Sequence, residues 1–461
     1  MIDQFKRISF SSLRKLYADD ISSIESVFAE LSAVLAQEAT QSVWIYRVAP
    51  EQVAASVRQL LEQKRAGAEL PLFGIPFAVK DNIDVAGMPT TAGCREFSYN
   101  PATSSPLVDR ATKLGAICLG KTNMDQFATG LTGTRSPFGI CASAYDPAFI
   151  GGGSSSGSAV AVAKGMVAFA FGTDSGGSGR IPAGYNNVVG VKPTIGALSL
   201  NGVVPNSRSF DCPSIFANDV DDAIEVLDLV SPYDECDPFS KKPLWPALDD
   251  ELNMANARLA VPRLDECEWY GDKNSAGAFV SGLDRIQRSG GIVREIDYSL
   301  FQEAGQLMLN GPWVAERIAG IRNFFEQKPD TLLPVVRTMF ERGHLWSAVD
   351  VFEASYRLQS LRHEVAKSFD GVDALIVPTA PRPYRIAEVL ASPIEKNIEV
   401  GHYSYFVNLL DLCAVTVPNG FLPNGLPTSL TFVAPAWRDK TIWALARQFM
   451  AKEIDGDEAV S

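Results

Sequence analysis

The sequence predicts an α/β protein with a mainly parallel or mixed sheet, on two observations. Short apolar runs alternate with helix-like stretches and turns rich in Gly, Ser and Pro through the first half of the chain, and similar runs return near the C-terminus. The 461 residues, 46% hydrophobic and 21% charged, are enough to bury a large core.

The elements follow in order. Ser22 to Glu38 and Pro50 to Ala66 carry apolar residues at helical spacing, so residues 1–66 read as helical. Phe73 to Val79, Ala116 to Leu119, Val167 to Phe171 and Val188 to Val191 read as buried strands. Beyond residue 220 the pattern turns helical at Asp219 to Val230, Asn274 to Ser289 and Pro312 to Gln327. Strand-like runs return at Ala374 to Val377, Ala414 to Val417 and Ser429 to Val433. A last helix, Lys440 to Ala451, precedes a frayed acidic tail at 453–461. No linker rich enough in Gly, Ser or Pro divides the chain, so residues 1–461 are expected to form one domain.

Charge and cysteine usage exclude several classes. A net charge of −13 favours solubility and argues against nucleic acid as a partner. Seven scattered cysteines without a CxxC read as reduced thiols. The N-terminus lacks the apolar core of a secretion signal, and no apolar run is long enough for a membrane span. A cytoplasmic protein with no membrane partner is the expectation. No metal-ligand spacing such as HExxH occurs, and no metal or cofactor is expected.

Two glycine-rich stretches stand out: GGGSSSGS at 151–158 and GTDSGGSGR at 172–180. Consecutive backbone N–H groups in such turns form anion pockets, and a serine at the end of one would carry its oxyanion hole with it. Taken alone, each is an ordinary Gly/Ser turn; two of them flanking one helix and one strand argue for a site. A serine nucleophile needs a base. His344, His363 and His402 lie far downstream in contexts that read as structural or exposed. Lys80, at the end of the apolar run in GIPFAVKDN, would be driven toward its neutral form if buried there, although a lysine at a strand end is usually an exposed cation. GAICLGKT at 115–122 fits a phosphate-loop pattern, but Ala116 to Leu119 look like a strand and not a loop. GSSSG around Ser155 fits a nucleophile elbow served by His402, yet a turn-rich loop precedes it where an elbow needs a strand.

Together these residues resemble the amidase signature family: a lysine after an apolar strand, a GGSS-type loop, then a GTDxGGSxR-type loop. The resemblance implies a large mixed β-sheet flanked by helices, a serine amidohydrolase without a cofactor, and a Ser–Ser–Lys triad. Position by position, it implies Ser178 as nucleophile, Ser154 as relay and Lys80 as base. The N–H groups of Ser175, Gly176, Gly177 and Ser178 would stabilise the oxyanion, and Asp174 and Arg180 would brace the loop. FGIPFAVKDNIDVAGMPTTAGC, LGKTNMDQFATGLTGTRSP, GPWVAER and NLLDLCAV are similar, more narrowly, to the amidase half of allophanate hydrolases. That likeness implies a small N-acylurea-type substrate, a carboxylate grip at Arg317 and a pocket wall at Gly130. Without it, Arg317 would read as an exposed helix arginine.

The chain departs from that group at two places. Leu309 stands where the group has a tyrosine that helps to hold the carboxylate, and Ser175-Gly176-Gly177-Ser178 stands where it usually has TAGS. Allophanate is the first expectation for the substrate, with guanylurea, biuret or another urea-like amide as alternatives. A homodimer is one expected assembly, and membership of an amidotransferase complex is a lesser alternative.

Overall fold

The computed structural model describes residues 8–37, 42–246 and 252–457. Its centre is a mixed sheet of eleven strands: β1 (Trp44–Arg47), β2 (Pro76–Lys80), β3 (Ile117–Thr122), β4 (Phe169–Asp174), β5 (Val189–Lys192), β6 (Cys212–Ala217), β7 (Arg258–Pro262), β8 (Ile292–Ile296), β9 (Ala374–Pro378), β10 (Leu412–Phe421) and β11 (Pro427–Pro435). Across the sheet the order is β1-β3-β2-β4-β6-β5-β10-β11-β9-β7-β8. β2, β4 and β9 are buried along their whole length, as strands covered by helices on both faces must be.

The topology places the site. β3, β2 and β4 run parallel, so their carboxyl ends emerge at one edge of the sheet. In the β2–β4 register Phe77 pairs with Phe169 and Val79 with Phe171, which brings Lys80 level with Gly172 and beside Thr173 in the last half of β4. The Phe77 and Phe169 rings stack at 5.1 Å beneath that edge. The segments leaving β3 and β4 carry the two glycine-rich motifs, and β2 ends in Lys80. Between the two motifs lies the helix Ser156–Ala163, whose residues through Val162 are buried because SGSAVAV presents no large polar face.

The structure differs from expectation in places, each with a physical reason. Residues 1–66 are not wholly helical: β1 (WIYR) has the aromatic and β-branched composition that suits an edge strand against β3, while residues 1–7 and 38–41 lie outside the described residues. The run from Phe73 becomes a strand only at Pro76, because Pro71 to Gly74 form a turn. The last helix does not stop at Ala451. It spans Asp439–Asp457, since no proline interrupts it; residues 458–461 lie outside the described residues. The phosphate-loop pattern is a strand, with Lys121 inside the sheet and paired to Asp81 at 3.4 Å, both fully buried. Among the described residues no helix is long and apolar enough to cross a membrane.

Candidate active site

Lys80 ends β2 with its side chain fully buried. Its Nζ lies 2.8 Å from Ser154 Oγ and 2.7 Å from Thr173 Oγ1, so the sheet edge and the first glycine-rich loop meet at this amine. Burial pulls the Lys80 amine down to about 7, against the opposing fields of Asp125, Asp174 and Asp211. Ser154 is itself fully buried. Its carbonyl accepts from the Asp125 N–H (3.1 Å), while the Gly153 N–H donates to Leu131 (2.9 Å), fixing the loop to the segment 125–135.

The second glycine-rich loop is organised by Asp174. Its carboxylate accepts from the Gly177 and Gly179 N–H groups (2.8 and 3.0 Å) and from Arg180 Nε and Nη2 (both 2.9 Å). Burial alone would push the Asp174 carboxyl up; the Arg180 charge and its hydrogen bonds outweigh that and hold it below the usual carboxylate range. Arg180 also donates to Ser404 O and Asn408 Oδ1, tying the loop to the C-terminal half. Gly177 takes φ +138°, where an L side chain is strained and a Cβ would run into Ser404.

This arrangement revises the expectation for Gly177. Its N–H is spent on Asp174, so it is not free to meet an oxyanion. The N–H groups of Ser175, Gly176 and Ser178 donate to no acceptor among the described residues. The Ser175 hydroxyl bonds to Asp211, whose carboxylate also accepts from the Asn206 and Ser207 N–H groups.

Ser178 opens into a cavity of about 50 Å³ whose wall includes Gly130, Ser175, Gly176, Leu309 and Arg317. Residues separated by nearly two hundred positions in the chain thus share one small space with the serine. Arg317 projects from the helix Val314–Gln327 and is not an exposed helix arginine: its Nε is buried without a hydrogen-bond partner, and burial pulls its guanidinium down to about 10. Leu309 supplies an apolar wall in the same cavity.

The competing sites do not assemble. The Ser155 hydroxyl is buried and donates to the Thr173 carbonyl (3.1 Å), away from the cavity lining. His402 contacts the Tyr270 hydroxyl at 3.4 Å, and burial lowers its imidazole below the usual value. Neither His402 nor the other two histidines line the cavity.

Sequence reasoning missed Asn206, Arg342, Trp346 and Tyr405 among the lining residues. Tyr405 is held by Asn397, donating to its carbonyl and accepting from its side-chain amide at 2.9 Å each. No motif announces these residues, because each reaches the cavity from an element far along the chain.

The Amidase family model matches residues 29–443. The chain is 39% identical to the urea amidolyase of Saccharomyces cerevisiae over 413 residues, covering 88% of this chain and 22% of that protein. It is 31% identical to a glutamyl-tRNA(Gln) amidotransferase component of Symbiobacterium thermophilum, covering 95% of each. Among solved structures, Kluyveromyces lactis allophanate hydrolase superposes with a TM-score of 0.90 at 32% identity, over 97% of this chain and 73% of that one. The chain therefore spans about a fifth of the length of the urea amidolyase it matches.

Proposed function

This chain belongs to the amidase family, and on that premise we propose that it hydrolyses the C–N bond of a small N-acylurea-type amide, allophanate first, through Ser178, Ser154 and Lys80. The observation that carries the substrate class is the guanidinium of Arg317, its Nε buried without a hydrogen-bond partner, in the same small cavity as Ser178. A planar guanidinium in that state suits a carboxylate in bidentate contact. The similarity to the K. lactis allophanate hydrolase points the same way.

In this reading neutral Lys80 holds Ser154 by the 2.8 Å contact and draws its proton as Ser154 takes the proton of Ser178. Ser178 Oγ attacks the carbonyl, and the free N–H groups of Ser175, Gly176 and Ser178 receive the oxyanion. The relay returns a proton to the departing nitrogen. Ammonia leaves, and water resolves the acyl-enzyme along the same path.

Guanylurea fits less well, because its protonated form would bring a cation against Arg317. The amidotransferase reading is supported by the similarity to the S. thermophilum protein, but not by the net charge of −13, which does not favour a tRNA-bearing partner. A cytoplasmic location belongs to the proposal, since seven free cysteines suit a reducing compartment. So does a homodimer, supported by the exposed Val349, Phe352 and Tyr356 on the helix Ala348–Ala366 and tested by sedimentation of the native protein.

The test is ammonia release by the purified chain from allophanate, guanylurea, biuret and malonamide. Allophanate should be the best substrate, and Ser178→Ala should release nothing from it. Turnover of guanylurea with allophanate inert would overturn the substrate assignment.

A further inference from the structure

We propose that Arg342 is a second specificity-determining residue of the cavity, holding the substrate carboxylate jointly with Arg317. The inference rests on the proposed reading that the substrate is a small anionic amide, and it names the group that compensates for the missing tyrosine at position 309.

Arg342 and Arg317 line the cavity that contains Ser178. Neither forms an ion pair among the described residues. Of the nearby carboxylates, Glu341 accepts from Arg337 Nε at 2.7 Å, and Asp211 accepts from the Ser175 hydroxyl and from the Asn206 and Ser207 N–H groups. Glu316 accepts from the N–H and hydroxyl of Ser209 at 2.8 and 2.7 Å through Oε1, while its Oε2 is buried without a hydrogen-bond partner. Two cationic side chains facing one small space, neither of them in an ion pair, repel each other, and an anion between them reduces that cost. Burial weighs most on the Arg317 guanidinium; the fields of Arg135 and then Arg342 act in the same unfavourable sense, against those of Tyr405 and Asp211.

The backbone is built to bring them together. Arg342 begins the 3-10 turn Arg342–Leu345, and Gly343 lies against the helix that carries Arg317. A Cβ on Gly343 would stand 2.7 Å from Ile318 Cδ1, 3.0 Å from Ala315 Cα and 3.1 Å from the Val314 carbonyl. Only glycine lets the turn pack this closely, and the packing carries Arg342 and Trp346 to the mouth of the cavity. Leu309 can donate nothing to a carboxylate. A second guanidinium restores the donor that this wall lacks, at the cost of favouring charged over neutral amides.

The test compares allophanate with uncharged biuret as substrates of the full chain and its variants. Arg342→Gln, at an exposed position, should lower kcat/KM on allophanate about tenfold through KM, as expected for loss of one partly solvated charged contact. Its effect on biuret should be under about threefold, and Arg342→Lys should restore part of the loss on allophanate. Gly343→Ala, which displaces the turn, should reproduce the selective rise in KM with Arg342 still present. Equal losses on both substrates, or no loss on allophanate in Arg342→Gln, would overturn the inference. Wild-type enzyme inert on allophanate but active on biuret would overturn the underlying substrate reading instead.

Discussion

At the scale of single residues, the chemistry depends on whether Lys80 is neutral when it is needed. Burial works against its ammonium form and three carboxylates work for it; burial prevails and leaves the amine at about 7. The base form is then present above that value and lost below it. kcat/KM should show an acid limb centred near pH 7, falling about tenfold per unit further down. Lys80→Met, which keeps the buried volume, should lower kcat by roughly 10²–10⁴ and abolish this limb. A rate unchanged between about pH 5 and 8 would remove Lys80 from the role. Lys80, Ser154 and Ser178 are legible in the sequence because composition marks them: an apolar run ending in lysine, and two glycine-rich loops. The state of Gly177 is not, since the commitment of its N–H depends on where the Asp174 carboxylate turns. Arg342 and Tyr405 are not legible either; they become neighbours of Ser178 only through tertiary packing.

At the scale of elements, strands are legible where both faces are buried and hidden where they are not. β4 and β9 read directly as apolar runs. β8 (IVREI) is the edge strand at one side of the sheet, with Arg294 and Glu295 exposed, and its pattern resembles a loop as much as a strand. β6 is obscured by Pro213 within it. The element that matters most to the site is β2, because the register of its last residue sets the Lys80–Ser154 contact. That register is held from below by Phe77, fully buried and packed against Phe169 and Phe171. Phe77→Ala should cost about 3–5 kcal/mol of stability, as large-to-small changes in a packed core do. Because the space left by the ring would lie under the lysine's own strand, kcat should fall with it, while Phe77→Leu should retain most of both. Denaturant unfolding and initial rates on the same preparations check this; a full-rate Phe77→Ala enzyme would show that β2 needs no such support.

At the scale of the whole molecule, the same sheet that aligns the site joins distant parts of the chain. β5 lies between β6 and β10, so a strand at residue 189 is bonded to one beginning at residue 412. Arg180 repeats that join beside the nucleophile, reaching Ser404 and Asn408 from the loop that Asp174 organises. A boundary drawn anywhere between these residues would cut a strand pairing and a buried charged network together, leaving an open sheet edge on each piece. The halves therefore have no independent way to satisfy their backbone, and residues 8–457 should unfold as one cooperative unit. Calorimetry should show a single transition, and activity should disappear within it, because the loop carrying Ser178 is anchored across the join. Arg180→Met should lower that single midpoint and the rate together. Two resolved transitions, with activity surviving the first, would mean that the C-terminal strands form a separate unit and that Arg180 is not what fixes the nucleophile loop.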